Sequence, residues 1–186
     1  MNIEDETKGS KVPLATLVAR AVTIASLAVS VALMKMNSAA CTINSKKFII
    51  SYSEFNAYKF MLFTNFVGFA YTLLQIPFAV YYLTTGKRLS NHYRLLQFDF
   101  YGDKVISFLL AVGVGAVFGA TSDLKKALNN SRNFEFFDIN SDLSDYYSKF
   151  DDLYNMAYIS AGFLLIGFLS SALSSIISSH ALTKKA

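Results

Sequence analysis

The chain has 186 residues, 53% hydrophobic and only 16% charged, where a soluble domain carries about 25% charge. Its charges fall in blocks between long apolar runs, which excludes an ordinary water-soluble fold and marks an integral membrane protein with one small domain. A single cysteine, Cys41, excludes any disulfide within the chain. The net charge of +4 sits at the ends of the apolar runs rather than along one face, pointing to the membrane surface and away from nucleic acid.

Residues 1–13 read as a short polar tail, acidic at Glu4, Asp5 and Glu6 and basic at Lys8 and Lys11. The first span is predicted at 14–34, with Pro13 at its entrance, a position where a missing N–H costs no helical bond. It is too long for a signal peptide and is taken as a retained helix. Arg20 lies six residues in, about 9 Å of axial rise. An arginine at that depth either snorkels to the headgroups or meets an acid inside the bundle.

A connecting loop is expected over 35–59, including ISYSEFNAYKF. The second span is predicted at 60–83, with Asn65, Gln75 and Pro77 inside it. Pro77 removes one backbone donor and predicts a kink. Asn65 and Gln75 are expected to hydrogen-bond across helices rather than face lipid. A short basic loop at 84–97 carries Lys87, Arg88 and Arg94.

The third span, predicted at 98–120, opens with the acid Asp103 and then runs uncharged from Val105. Asp103 is a candidate partner for Arg20; the alternative is a carboxylate favoured by the helix N-terminus, with Lys104 beside it. Ala111, Gly115 and Gly119 fall four apart, a stripe that lets another helix approach closely. The region 121–155 reads as the longest and most acidic loop. It holds the sequon Asn129-Asn130-Ser131, a candidate glycosylation site at Asn129. The fourth span is predicted at 156–178, with Gly167, Ser171 and Ser175 as a second small-residue packing face. The membrane domain thus covers 14–180, and 181–186 form a second basic tail.

Together these predict an all-α fold, a bundle of four transmembrane helices with both termini on one side. Lysines and arginines divide almost evenly between the two sides, so the positive-inside rule alone does not orient it. The basic loop at 84–97 and the sequon in 121–155 favour cytosolic termini. Spans one and three then run in the same direction, with Arg20 and Asp103 at matching depth near the cytosolic end. That is the geometry of a structural ion pair. No phosphate-binding glycine loop, nucleophile elbow or His–Glu helix motif occurs. His92 and His180 lack partners at metal-ligand spacing, and the acids of 138–152 lack calcium-loop order. No enzyme, metal or cofactor is therefore expected. A small transporter or channel using Arg20 and Asp103 in a polar path is the alternative to an oligomeric scaffold, but midplane polar groups and broken helices are sparse.

The arginine in the first span, the acid before VISFLLAVGVGAVFGAT, and SEFNAYKFMLFTNFVGFAYTLLQ entering the second span form an ordered set. Through it the chain resembles the Casparian strip membrane domain protein-like (CASP-like) family of plants, related to the MARVEL tetraspan proteins. The resemblance covers about residues 12–180, and GDKVISFLLA is most similar to the family's fourth subgroup. Family hallmark charges map onto Arg20 and Asp103. The aromatic and polar positions of span two map onto Tyr52, Phe55, Tyr58, Asn65, Tyr71 and Gln75. The resemblance implies a plasma-membrane scaffold with cytosolic termini. It implies homo- and hetero-oligomers with other CASP-like proteins, and recruitment of extracellular cell-wall proteins. Claudins and tetraspanins fit poorly, since they need loop cysteines that this chain lacks.

Overall fold

The computed structural model describes residues 3–43, 46–85, 93–134 and 141–183. Four helices make up the body: α1 (Ile3–Met36), α2 (Asn56–Thr85), α3 (Tyr93–Phe134) and α4 (Ser141–Thr183). Each contains a stretch long and apolar enough to cross a membrane: Leu14–Met36, Asn56–Tyr81, Tyr101–Arg132 and Tyr147–Ile177. The chain is thus a four-helix membrane bundle. Large apolar side chains such as Phe66, Phe108, Leu74 and Leu173 are exposed, as lipid-facing surfaces require.

Successive helices are antiparallel, and each packs on its chain neighbours, with α4 closing the ring against α1. Leu27 on α1 sits at the centre, with no exposed surface. It fits between two glycines: a methyl group on Gly68 of α2 would lie 3.2 Å from Leu27 Cδ1, and one on Gly167 of α4 would lie 2.9 Å from Leu27 Cδ2. Helices come this close in lipid because packing and interhelical hydrogen bonds, rather than water exclusion, hold them together. Around it the core includes Met34, Met61, Leu110, Val117, Ala157 and Leu164.

The helices overrun the predicted spans. α1 is already helical from Ile3, so residues 3–13 continue the rod and Pro13 lies within it rather than at its entrance. α3 has 42 residues and α4 has 43, each about 63 Å long at 1.5 Å per residue, twice a bilayer core of about 30 Å. The acidic stretch expected as a loop at 121–155 is therefore mostly helix. Leu124 and Leu128 on α3 pack against Phe150, Leu153 and Tyr154 on α4 as a separate small core. The polar residues there coat an extension of the helix pair rather than a coil.

The stretch expected as a loop at 35–59 is ordered as well. Strands β1 (Ser38–Ile43) and β2 (Lys46–Ser51) form an antiparallel hairpin with Ser38 opposite Ser51 and Ile43 opposite Lys46. A 3-10 turn at Tyr52–Glu54 leads into α2. Residues such as Thr42, Ile43, Phe48, Ile49 and Ile50 favour extended backbone, while Asn44 and Ser45 are residue types that favour a turn. The hairpin leaves the four-helix architecture intact.

Candidate functional site

Polar side chains inside the bundle gather at three levels. At the level nearest the chain termini, α1, α2 and α3 meet around Arg20. Its Nη1 donates to the main-chain oxygen of Gln75 at 3.1 Å. Its Nη2 stands 3.9 Å from Asp103 Oδ2, with both side chains about 5% exposed or less. Asp103 is held from a second direction, because Tyr71 Oη donates to its Oδ1 at 3.0 Å. Gln75 Nε2 in turn donates to Tyr71 Oη, closing a loop in which α2 touches both charges.

Local sequence explains the arrangement. Tyr71 and Gln75 are four residues apart and so lie on one face of α2. Tyr71 reaches Asp103 because Gly102 leaves room: a methyl group there would lie 2.9 Å from Tyr71 Cε2 and 3.0 Å from Cζ. Pro77, two residues beyond Gln75, lies inside α2 and removes one helical donor from that turn. An ion pair buried in a medium of low dielectric needs such additional hydrogen bonds to offset its desolvation.

The middle level joins α1, α2 and α4. Ser30 Oγ donates to Ser160 O at 2.9 Å, and Ser160 Oγ returns a bond to Ser30 O at 2.8 Å. Asn65 Nδ2 donates to Ser30 Oγ at 3.3 Å and to Met61 O at 3.2 Å. All three side chains are fully buried. At the far level, Tyr58 Oη and Thr121 Oγ1 lie 3.1 Å apart between α2 and α3. There Asn37 Nδ2 donates to Leu153 O at 2.9 Å, tying α1 to α4. Beyond it Lys125 reaches Asn155 Oδ1 at 3.0 Å and Asp151 at 3.5 Å.

Ser107 Oγ on α3 meets Ser171 Oγ on α4 at 3.0 Å, and four further hydroxyls of the interior are turned back on their own helices. Thr23 donates to Ala19 O, Ser26 to Val22 O, Thr64 to Met61 O and Thr72 to Gly68 O. Such bonds satisfy a polar group in lipid without linking one level to the next. Among the described residues no three of His, Cys, Asp or Glu gather closely enough to hold a metal ion. His92 lies outside the described residues.

Of the residues singled out from sequence, Arg20, Asp103 and Gln75 meet at one level, and Asn65 sits at the next. Gly167 packs on Leu27, Ser175 is buried, and Ser171 Oγ lies 3.0 Å from Ser107 Oγ. The stripe on α3 faces elsewhere. Ala111 is half-buried, while Gly115 and Gly119 are exposed, with nothing within 4 Å of where a methyl group would stand. Close approach on α3 comes instead through Gly102 against Tyr71 and Gly113 against Thr64. Asn129 is exposed on α3, with Ser131 Oγ bonded to Ala127 O at 3.1 Å; the sequon is helical, not in a loop. Tyr71, Ser30, Ser160, Asn37, Thr121 and Ser107 are participants that spacing did not single out. The signal for Tyr71 was its place one helical turn before Gln75, facing a glycine next to the acid.

A family model described as the Casparian strip membrane protein domain matches residues 9–169. CASP-like protein 4D1 of Ricinus communis is 36% identical over 172 residues, covering 92% of this chain and 93% of that one. CASP-like protein 4D1 of Populus trichocarpa is 36% identical over 174 residues, covering 92% and 88%. CASP-like protein 4D2 of Arabidopsis thaliana is 31% identical over 169 residues, covering 91% and 90%. No solved structure matches the chain.

Proposed function

Because this chain belongs to the CASP-like family of multi-pass membrane proteins, we propose that it is a plasma-membrane scaffold. It self-associates and joins other CASP-like proteins in a membrane domain that organises extracellular cell-wall machinery. Both termini face the cytosol in this reading. The hairpin, the outer halves of α3 and α4, and Asn129 then face outside.

The observation that carries the reading is how the buried charges are used. Arg20 and Asp103 are engaged by Tyr71, Gln75 and each other, and the hydroxyls above them bond to their own helices. A transport path needs polar groups that exchange partners with a passing solute. Here the polar groups fasten one helix to another, which supports a rigid body whose working parts lie on its outer surface.

Two measurements test it. Fluorescently tagged protein in plant plasma membrane is expected to form patches with little recovery after photobleaching; full recovery at the rate of a freely diffusing tetraspan protein overturns the scaffold reading. A pH-sensitive fluorophore on either terminus is expected to ignore external acid, and quenching by external acid overturns the orientation.

A further inference from the structure

The hairpin has two edges, and among the described residues the helices pack against the one formed by β1. β1 packs against α4, and Asn37, the residue before β1, is bonded to Leu153 of α4. Among the described residues β2 pairs only with β1 and shares no comparable contact with any helix. Among the described residues its outer edge therefore carries main-chain N–H and C=O groups with no strand beside them. Natural proteins blunt such edges with charges, prolines or bulges, because an open edge templates another strand. β2 reads Lys-Lys-Phe-Ile-Ile-Ser. Its two charges stand together at one end, and Phe48, Ile49 and Ile50 have neither charge nor proline among them.

We propose that the outer edge of β2 is where a second copy of this chain adds its own β2, antiparallel, joining two hairpins into one four-stranded sheet. This rests on the self-associating scaffold reading and specifies the contact. The sequence of the strand is self-complementary in that orientation alone. Antiparallel pairing places the Lys46–Lys47 ends of the two copies at opposite ends of the new ladder, whereas parallel pairing stacks lysine on lysine, which is destabilising.

Symmetry fixes the register further. A two-fold axis through an antiparallel pair sets one residue opposite its own copy. Centring on Ile49 sets Phe48 opposite Ile50 of the second copy and Lys47 opposite its Ser51. Centring on Phe48 instead sets Lys47 opposite Ile49 and Lys46 opposite Ile50, charge against aliphatic. Centring on Ile50 leaves only Ile49 to Ser51 paired within the strand, so the axis passes through Ile49. Main-chain bonds supply the affinity in such strand addition, and the residue pattern supplies the register.

The test uses the full chain in membranes, with Cys41→Ser as background and single cysteines at Lys47, Phe48, Ile49 or Ile50. Directly opposed strand residues have Cα atoms about 4.5–5.5 Å apart, within disulfide range. Each step away from the axis separates equivalent residues by about 7 Å more along the strands. Mild oxidation is expected to link Ile49→Cys into a dimer, with yields about tenfold lower at the flanking positions. Ile49→Lys sets two lysines opposite each other and is expected to lower energy transfer between labelled copies while thermal unfolding stays unchanged.

If copies remain associated but cross-linking peaks at another position, is flat, or captures a different protein, the strand contact is overturned and the scaffold reading survives. If wild-type copies show no energy transfer at all, both fall together.

Discussion

Arg20 meets acceptors of two kinds, a carboxylate on α3 and a main-chain oxygen on α2. Substitution can replace the carboxylate but not the carbonyl, and this asymmetry decides what charge exchange achieves. Asp103→Ala leaves the guanidinium buried with one of its acceptors gone and is expected to destabilise the bundle by about 3 kcal/mol, read by unfolding in mixed micelles. The reciprocal exchange, Arg20→Asp with Asp103→Arg, restores opposite charges but turns a carboxylate toward the Gln75 carbonyl. It is expected to recover only part of the loss; full recovery would show that α2 contributes nothing. Gly102→Ala tests the other arm, since its methyl group displaces the Tyr71 ring. It is expected to cost about 1–3 kcal/mol, most of which disappears in Tyr71→Ala, where neither the ring nor its hydroxyl remains to be displaced. Matching depths of Arg20 and Asp103 along parallel helices were readable from spacing alone. Tyr71's part was not, because an aromatic residue in an apolar run looks like core until its neighbour across the interface is known to be glycine.

Glycines separate two kinds of helix face. Leucine at Gly68 or Gly113 has no space, since a methyl group at Gly68 already lies 2.9 Å from Leu110 Cδ2 and one at Gly113 runs into Thr64. Either change is expected to force α2 and α3 apart and cost about 3 kcal/mol. Leucine at Gly115 or Gly119 meets open space and is expected to leave monomer stability within about 0.5 kcal/mol. Thermal unfolding of the four variants checks the contrast. A four-residue repeat identifies a smooth stripe but carries no information on whether the stripe faces inward. Inward glycines here sit opposite bulky partners, Leu27, Leu110, Tyr71 and Thr64, and only the partner's identity reveals them. The outer helix pair has a similar lesson. Charge made 121–155 look like a loop, yet Leu124 and Leu128 one turn apart, with Phe150, Leu153 and Tyr154 at helical spacing, carry an amphipathic signal that continues both helices.

At the scale of the molecule, four apolar runs and their order were legible because a bilayer admits few alternatives: lipid forces each backbone to satisfy itself within a helix. The hairpin was less legible because six-residue strands leave little periodicity to read. What the whole bundle does follows from its interior. Polar groups at three levels each fasten two or three helices, Ser107 and Ser171 add a tie between α3 and α4, and hydroxyls such as Thr23 and Ser26 bond to their own backbone. Weakening the middle level by Ser160→Ala removes one direct tie between α1 and α4 and is expected to cost about 1 kcal/mol without changing helix content, checked by circular dichroism during unfolding.

In this account Arg20 and Asp103 fasten helices and line no path. Purified protein in vesicles, with potassium, chloride and proton gradients followed by fluorescent reporters, tests it most directly. Flux at the level of protein-free vesicles, for the wild type and for Asp103→Asn alike, is the predicted result. Flux clearly above that level in the wild type and lost in Asp103→Asn would contradict it.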